Sequence, residues 1–233
     1  MSAIATAGPL HRVIRFYEAT NGKKAVMAVT GVLLFGYVVG HMLGNLQIFL
    51  GPRQINRYAE FLHSYETMLW FVRAILLAAV GLHVTAALQL WALNRSARPI
   101  GYYRKNDVPS AYAARTMRWG GLIIAAFVIF HVLHLTTGDV LALKHVGDTP
   151  FYNVYENVID GFRHPAVSIA YIVAVLMLCL HLYHGVWSMF QTVGISHPRY
   201  TPVLKRLSAA AAIVVAAGFV SIPVAVLTGV LTY

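Results

Sequence analysis

The sequence predicts an all-α integral membrane protein with five transmembrane helices. Of its 233 residues, 58% are apolar and only 11% charged, and the mean hydropathy is +0.64, which is too apolar for an ordinary soluble domain. A bilayer span needs about 20 consecutive, mostly apolar residues. Five stretches qualify, at about 25–50, 68–93, 118–137, 166–192 and 207–231. Because the loops between them are short, residues 1–233 are predicted to form a single transmembrane domain.

Residues 1–24 precede the first span and are polar. The segment "HRVIRFYEA" is typical of a short amphipathic helix lying on the membrane surface. The region lacks an apolar core of its own, so it does not have the pattern of a cleavable signal peptide. We expect these residues to lie in the cytoplasm.

The net charge of +10 is distributed along the chain in a pattern that predicts topology rather than nucleic-acid binding. Four Lys and Arg residues precede span 1, six separate spans 2 and 3, and three separate spans 4 and 5, whereas the alternate loops carry two each. The six are Arg95, Arg98, Arg104, Lys105, Arg115 and Arg118. This positive-inside pattern puts the N-terminus in the cytoplasm and the C-terminus outside. The basic face could also bind an acidic partner or anionic lipid.

Two further features concern the outer half of the molecule. Gly36, Gly40 and Gly44 form a smooth stripe along span 1, which indicates either close helix packing or room for a flat cofactor. The aromatic-rich loop "TPFYNVYENVIDGFRHP" predicts a short interfacial helix closed by Gly161 and Pro165. Its expected role is a lid on the outer face.

Histidines occur within the apolar part of four of the five spans, where ionisable residues are rare and usually functional. They are His41, His83, His131 with His134, and His181 with His184. Counting residues from the span ends puts His41 and His131 in an outer layer and His83 and His181 in an inner layer. At 1.5 Å per residue, the layers are about 10 Å apart along the membrane normal.

Two facing histidines at each of two depths is the arrangement that two bis-imidazole haems require. A membrane hydroxylase with two irons would instead need many histidines and carboxylates at one level, and no Asp or Glu lies deep in a span. A serine hydrolase would need a nucleophile that the pattern does not supply. The chain lacks a C-x-x-C-H motif, so haem attachment should be non-covalent, and its single Cys179 excludes intramolecular disulfides.

Spacing alone leaves open which member of each close pair is the ligand. In "HLYHG", His181 could bind iron while Gly185, one turn later, leaves room for the porphyrin edge. His184 would then lie one turn nearer the cytoplasm, within reach of a haem propionate. "FHVLHLTTG" repeats the pattern at the outer layer with His131 and His134.

These segments, with "GHMLGN" in span 1 and "GLHV" in span 2, resemble the single-chain cytochrome b membrane anchor of succinate dehydrogenases and fumarate reductases, the five-span, di-haem type. The most specific match is "HLYHGVWSMFQTVGISHPR". The resemblance implies that His41 and His131 hold the outer haem b and that His83 and His181 hold the inner one. Four helices would form the di-haem bundle, with a peripheral fifth. Some fumarate-reductase members carry a glutamate where this chain has Cys179, which favours a succinate:quinone reductase.

The function implied is relay of electrons between an iron–sulfur subunit, docked with a flavoprotein subunit on the cytoplasmic face, and membrane quinone (menaquinone or ubiquinone). The complex would act as the succinate dehydrogenase of the tricarboxylic acid cycle, and could form a higher oligomer. Quinone candidates are Glu60, His63 and Glu66, while Arg73 is a candidate for either the quinone or a haem propionate. All four could equally be interfacial anchors. The alternatives are a di-haem anchor of another quinone-linked oxidoreductase, and a haem-free transporter or scaffold.

Overall fold

The computed structural model describes residues 8–97, 112–147, 149 and 151–233. Within those ranges the chain folds into α-helices without a β-strand, and His145 and Tyr152 form an isolated bridge. The helices are α1 (Pro9–Glu18), α2 (Thr20–Leu46), α3 (Pro52–Ser64), α4 (Glu66–Ser96), α5 (Tyr112–Leu135), α6 (Val154–Arg163), α7 (Pro165–Thr192) and α8 (Thr201–Leu227).

Five of these helices, α2, α4, α5, α7 and α8, are long and apolar enough to cross a membrane. The all-α membrane fold is therefore confirmed, although several bounds differ from the expected ones. Span 1 is helical from Thr20, and its last four residues, 47–50, form a 3₁₀ turn. The last span ends at Leu227 rather than at 231, because Gly229 takes a left-handed φ of 75° and turns the chain back on the helix end.

The expected N-terminal amphipathic helix is confirmed as α1, and α2 follows it after a break at Ala19. The Lys23 amine donates to the carbonyl oxygens of Tyr17 (2.9 Å) and Glu18 (2.8 Å), which lie at the end of α1. Gly22 is needed at this corner because a Cβ there would collide with the Phe16 carbonyl. Residues 1–7 and the loop residues Arg98, Arg104 and Lys105 lie outside the described residues.

Helix α3 was not expected from the sequence. It begins at Pro52, directly after Gly51, whose φ of 96° suits a glycine. Its Tyr58 packs against Gly44 of α2 so closely that a Cβ at Gly44 would lie 2.8 Å from the Tyr58 ring. One glycine of the span 1 stripe therefore serves helix packing.

Helices α2 and α7 form the centre of the bundle. Helix α2 packs against α4, α7 and α8, and α7 packs against α5 and α8. The histidine-free α8 packs against α7 and α2, with Gly218 in close contact with Met42 of α2. Burial is uneven: in the most apolar window of each helix, 39% of residues are buried in α8, 11% in α4 and 6% in α5.

Helix α6 covers one end of this bundle. The cluster beneath it joins α3, α6, α7 and α8 and includes Ile48, Ile55, Val158, Ile159, Phe162, Tyr171 and Ile222. The Asn153 side chain caps α6 by accepting from the Glu156 amide at 3.2 Å. The expectation that Gly161 closes this helix is wrong: Gly161 lies within α6, where its missing side chain admits the ring of His134.

Candidate metal centres

The outer pair of histidines comes from α2 and α5. The ring centroids of His41 and His131 lie 5.7 Å apart with an interplanar angle of 82°. Tyr37 stacks on His41 from the preceding turn of α2, at 5.4 Å. Phe219 of α8 adds a third ring, 5.9 Å from His41. The structure therefore brings His41 and His131 together, as the residue count along the spans predicts.

The inner pair comes from α4 and α7. The ring centroids of His83 and His181 lie 6.2 Å apart at 57°. Two imidazoles that bind one metal ion from opposite sides place their centroids about 6 Å apart. Each metal–nitrogen bond is about 2 Å long, and each bonded nitrogen lies about 1 Å from the centroid of its own ring. Both pairs have this separation. Among the described residues, no group of three or more His, Cys, Asp and Glu side chains could hold a metal ion, so the histidines are arranged as pairs.

Thr30 of α2 orients His83. Its hydroxyl oxygen lies 3.0 Å from His83 Nδ1, 2.8 Å from the Val26 carbonyl and 3.2 Å from the Met27 carbonyl. When the hydroxyl gives its single hydrogen to one of these carbonyls, it accepts from a proton on His83 Nδ1. That tautomer leaves Nε2 of His83 with a free lone pair, as metal-ligating histidines require.

Tyr171 of α7 lies between the two histidines of α5. Its hydroxyl oxygen is 3.2 Å from His131 Nδ1 and 2.9 Å from His134 Nδ1. A tyrosine hydroxyl has one hydrogen to donate, so at least one of the two rings must donate to it. Tyr171 thus links the candidate ligand to its neighbour one turn away.

His41 and His181 have different surroundings. The Asn45 amide donates to the His41 carbonyl at 2.7 Å and lies 3.4 Å from both ring nitrogens of His41. His181 Nδ1 is buried, and no hydrogen-bond partner for it exists among the described residues. A buried, unpaired ring nitrogen is costly, and only a group that contacts Nδ1 itself would relieve that cost.

The second histidine of each close pair occupies a different setting. His134 is almost fully buried, with 1% exposure; it stacks on Phe130 at 5.6 Å. A Cβ at Gly161 would come within 2.6 Å of it. His184 is part-buried. No ring contact is found for His184 in the part of the chain that the structure describes.

The glycines of span 1 were expected either to allow close helix packing or to leave room for a flat cofactor. Around Gly36, Gly40, Gly81 and Gly185, no described atom lies within 4 Å of the position that a Cβ would occupy, apart from the adjacent residues and backbone of the same helix. Gly185 lies one turn after His181 on the same face of α7, so the space beside this candidate ligand is free of side chains. Gly40 and Gly81 lie on other faces of their helices than His41 and His83.

The quinone candidates do not converge on one point. The side chains of Glu60, His63 and Glu66 are exposed, and His63 Nδ1 donates to the Ala59 carbonyl at 2.8 Å. Arg73 lies over the Trp70 ring at 4.9 Å. No hydrogen bond or ion pair joins these four residues to one another within the described ranges.

Several side chains at the pairs were missed from the sequence, among them Thr30, Tyr37, Tyr171 and Phe219. Their hydroxyl or aromatic character is unremarkable in an apolar span, and only the rotation of each helix shows what they face. Comparison with protein-family models, with curated proteins and with solved structures gave no match for this chain.

Proposed function

We propose that this chain is the membrane anchor and electron-transfer subunit of a succinate:quinone oxidoreductase. Two bis-histidine b haems would relay electrons between an iron–sulfur subunit and membrane quinone. The observation that carries the proposal is the approach of His41 to His131 and of His83 to His181 at centroid distances of 5.7 and 6.2 Å, on four different helices.

The residues present fit such a group. Thr30 lies 3.0 Å from His83 Nδ1, so Nε2 of His83 is available to a metal when Nδ1 carries the proton. The buried Nδ1 of His181 lacks a partner among the described residues. The open space beside Gly185 could admit a flat ring. When bound, haem supplies reversible one-electron transfer, while the protein sets its position, burial and axial bonds.

Helix α2 supports a path across the membrane. It carries His41 of the outer pair and Thr30, which orients His83 of the inner pair. These two residues are eleven positions apart, which corresponds to about 16 Å along the helix axis. One helix therefore contacts both pairs, and its two contacts are farther apart along the axis than the layer separation of about 10 Å expected from the sequence.

The charge pattern supports the proposed partners. The loops expected on the cytoplasmic side hold most of the Lys and Arg residues, among them Arg95, Arg118, Lys205 and Arg206. Such a face suits an iron–sulfur subunit with an acidic docking surface. A flavoprotein subunit would supply electrons from succinate, and the acceptor would be a quinone dissolved in the membrane.

Haem content and optical spectra of the purified complex test the proposal. We expect two b-type haems per chain, both low-spin and six-coordinate, and complete removal of haem by acid–acetone. Succinate should reduce them through the partner subunits. A content near one haem per chain, or none, would contradict the di-haem arrangement. Reduction by formate or hydrogen but not by succinate would favour the anchor of another oxidoreductase.

A further inference from the structure

We propose that Tyr171 is a positioning residue for the outer centre: its hydroxyl accepts a hydrogen bond from His131 Nδ1–H and passes its own hydrogen to His134 Nδ1. This inference rests on the proposed function, since it concerns His131 as an axial ligand. It adds a tyrosine and a second histidine to the outer centre.

The direction of the two hydrogen bonds follows from counting protons. A neutral histidine that binds iron through Nε2 carries its hydrogen on Nδ1. His131 must therefore donate to the Tyr171 oxygen, 3.2 Å away. The single hydroxyl hydrogen of Tyr171 is then directed at His134 Nδ1, 2.9 Å away. His134 in this chain carries its own proton on Nε2.

Packing holds the three residues in place. Tyr171 is 6% exposed, and its ring lies edge-on to Phe127 at 4.9 Å and to Phe162 at 4.8 Å. His134 is confined between Phe130 and Gly161 of α6. The hydroxyl therefore has few alternative positions, and α6 is mechanically connected to the candidate ligand through His134 and Tyr171.

This hydrogen bond should affect the redox potential of the outer haem. An acceptor at Nδ1 makes a ligating imidazole more basic, which favours the oxidised, more electron-poor iron. Donation from Tyr171 to His134 makes the tyrosine oxygen a better acceptor, because hydrogen bonds in series strengthen one another. Removing the Tyr171 hydroxyl should then raise the midpoint potential of the outer haem.

A variant at the inner centre can be compared with the variant at the outer centre. The Thr30 hydroxyl lies 3.0 Å from His83 Nδ1 and would accept from it if His83 binds iron through Nε2, so Thr30→Val should move the potential of the inner haem alone. Tyr171→Phe should change the midpoint potential of the outer haem alone. Tyr183→Phe is the matched control, since Tyr183 lies on the same helix and its hydroxyl has no hydrogen bond within the described part of the chain. Tyr183→Phe should leave both midpoint potentials unchanged.

The experiment is a potentiometric titration of the intact complex, with haem spectra recorded for each variant. We expect Tyr171→Phe to keep two low-spin haems and to raise one midpoint potential, and Thr30→Val to shift the other. An unchanged potential in Tyr171→Phe, a fall, or a shift of the same haem by both variants would overturn the inference. If Tyr171→Phe loses the outer haem, the test passes to His134→Phe, which removes only the acceptor of the Tyr171 hydrogen. A rise in the outer midpoint potential then supports the two hydrogen bonds in series, and an unchanged outer potential overturns the inference.

These outcomes are distinct from failure of the proposed function. A wild-type complex without two b haems would reject the function itself. A wild-type complex with two b haems and a Tyr171→Phe variant identical to it would reject only the role of Tyr171.

Discussion

His181 faces His83 across the bundle with 6.2 Å between ring centroids, whereas His184, three residues later on α7, has no ring contact among the described residues. Replacing His181 by Ala should therefore remove an axial bond, so the inner haem should be lost or turn high-spin. Replacing His184 should cost a hydrogen bond at most, about 1 kcal/mol to a few, and keep both haems. Optical spectra and haem quantitation distinguish the two variants. Loss of the inner haem in His184→Ala, with six-coordinate haem in His181→Ala, would reverse the assignment.

Gly185 tests whether the open space beside His181 accommodates a cofactor. Apart from the adjacent residues and backbone of α7 itself, no described atom lies within 4 Å of a Cβ built there, so Gly185→Leu should not disturb helix packing. If a porphyrin edge fills this space, the leucine should lower haem content from two towards one per chain, with the protein still folded. Ala170→Leu, at an exposed position of the same helix, is the matched control. Equal haem content in the two variants would mean that the space faces lipid instead.

Topology can be tested by labelling introduced cysteines with a membrane-impermeant maleimide after Cys179 is replaced by Ala. Ser64 at the end of α3 and Ser196 between α7 and α8 are both exposed. With the N-terminus in the cytoplasm, Ser64→Cys should react in intact cells, and Ser196→Cys should react only after the membrane is opened. The reverse result would put the inner pair on the outside and change which haem receives electrons first.

The five spans and the two histidine pairs could be predicted from the sequence, because the length of an apolar stretch and the depth of a histidine follow from position along the chain. The rotation of each helix about its axis does not follow from position, so the contacts of Thr30 and Tyr171 with the histidines were missed. Helix α3 had a detectable signal in Pro52 and the spacing of Ile55, Tyr58 and Leu62, but it is too short and polar for a hydropathy scan. Gly161 was misinterpreted because a glycine near a proline usually ends a helix, whereas here it admits the His134 ring.

The surface that carries α6 should respond to acid through Asp160. Burial raises the pKa of this carboxyl, but hydrogen bonds from Lys144 and Tyr233 outweigh burial, so the pKa lies below its ordinary value of 3.8. The Lys144 amine is 2.7 Å from the carboxylate. Because the folded-state pKa is lowered, this contribution to stability is present above the ordinary pKa and is lost as the pH falls through the lowered one.

Asp160→Asn should therefore lower the thermal unfolding midpoint slightly at pH 7, and the difference from wild type should shrink as the pH falls below about 4. The decrease should be small because the two partners, Lys144 and Tyr233, are exposed to solvent. Tyr233→Phe, which removes only one donor, should show a smaller difference. A gap between Asp160→Asn and wild type that stays constant down to the most acid condition would show that the carboxylate contributes nothing through its charge.

The sparse burial of α4 and α5 has a consequence for biogenesis. Each supplies one histidine of a pair, yet only 11% and 6% of their most apolar windows are buried against protein. If haem fills the space between the paired imidazoles, its axial bonds also link α4 to α7 and α5 to α2. Complete folding of newly inserted chains would then depend on the supply of haem. Cells starved of haem should accumulate a protease-sensitive precursor, and the cellular level of the complex would follow the availability of iron.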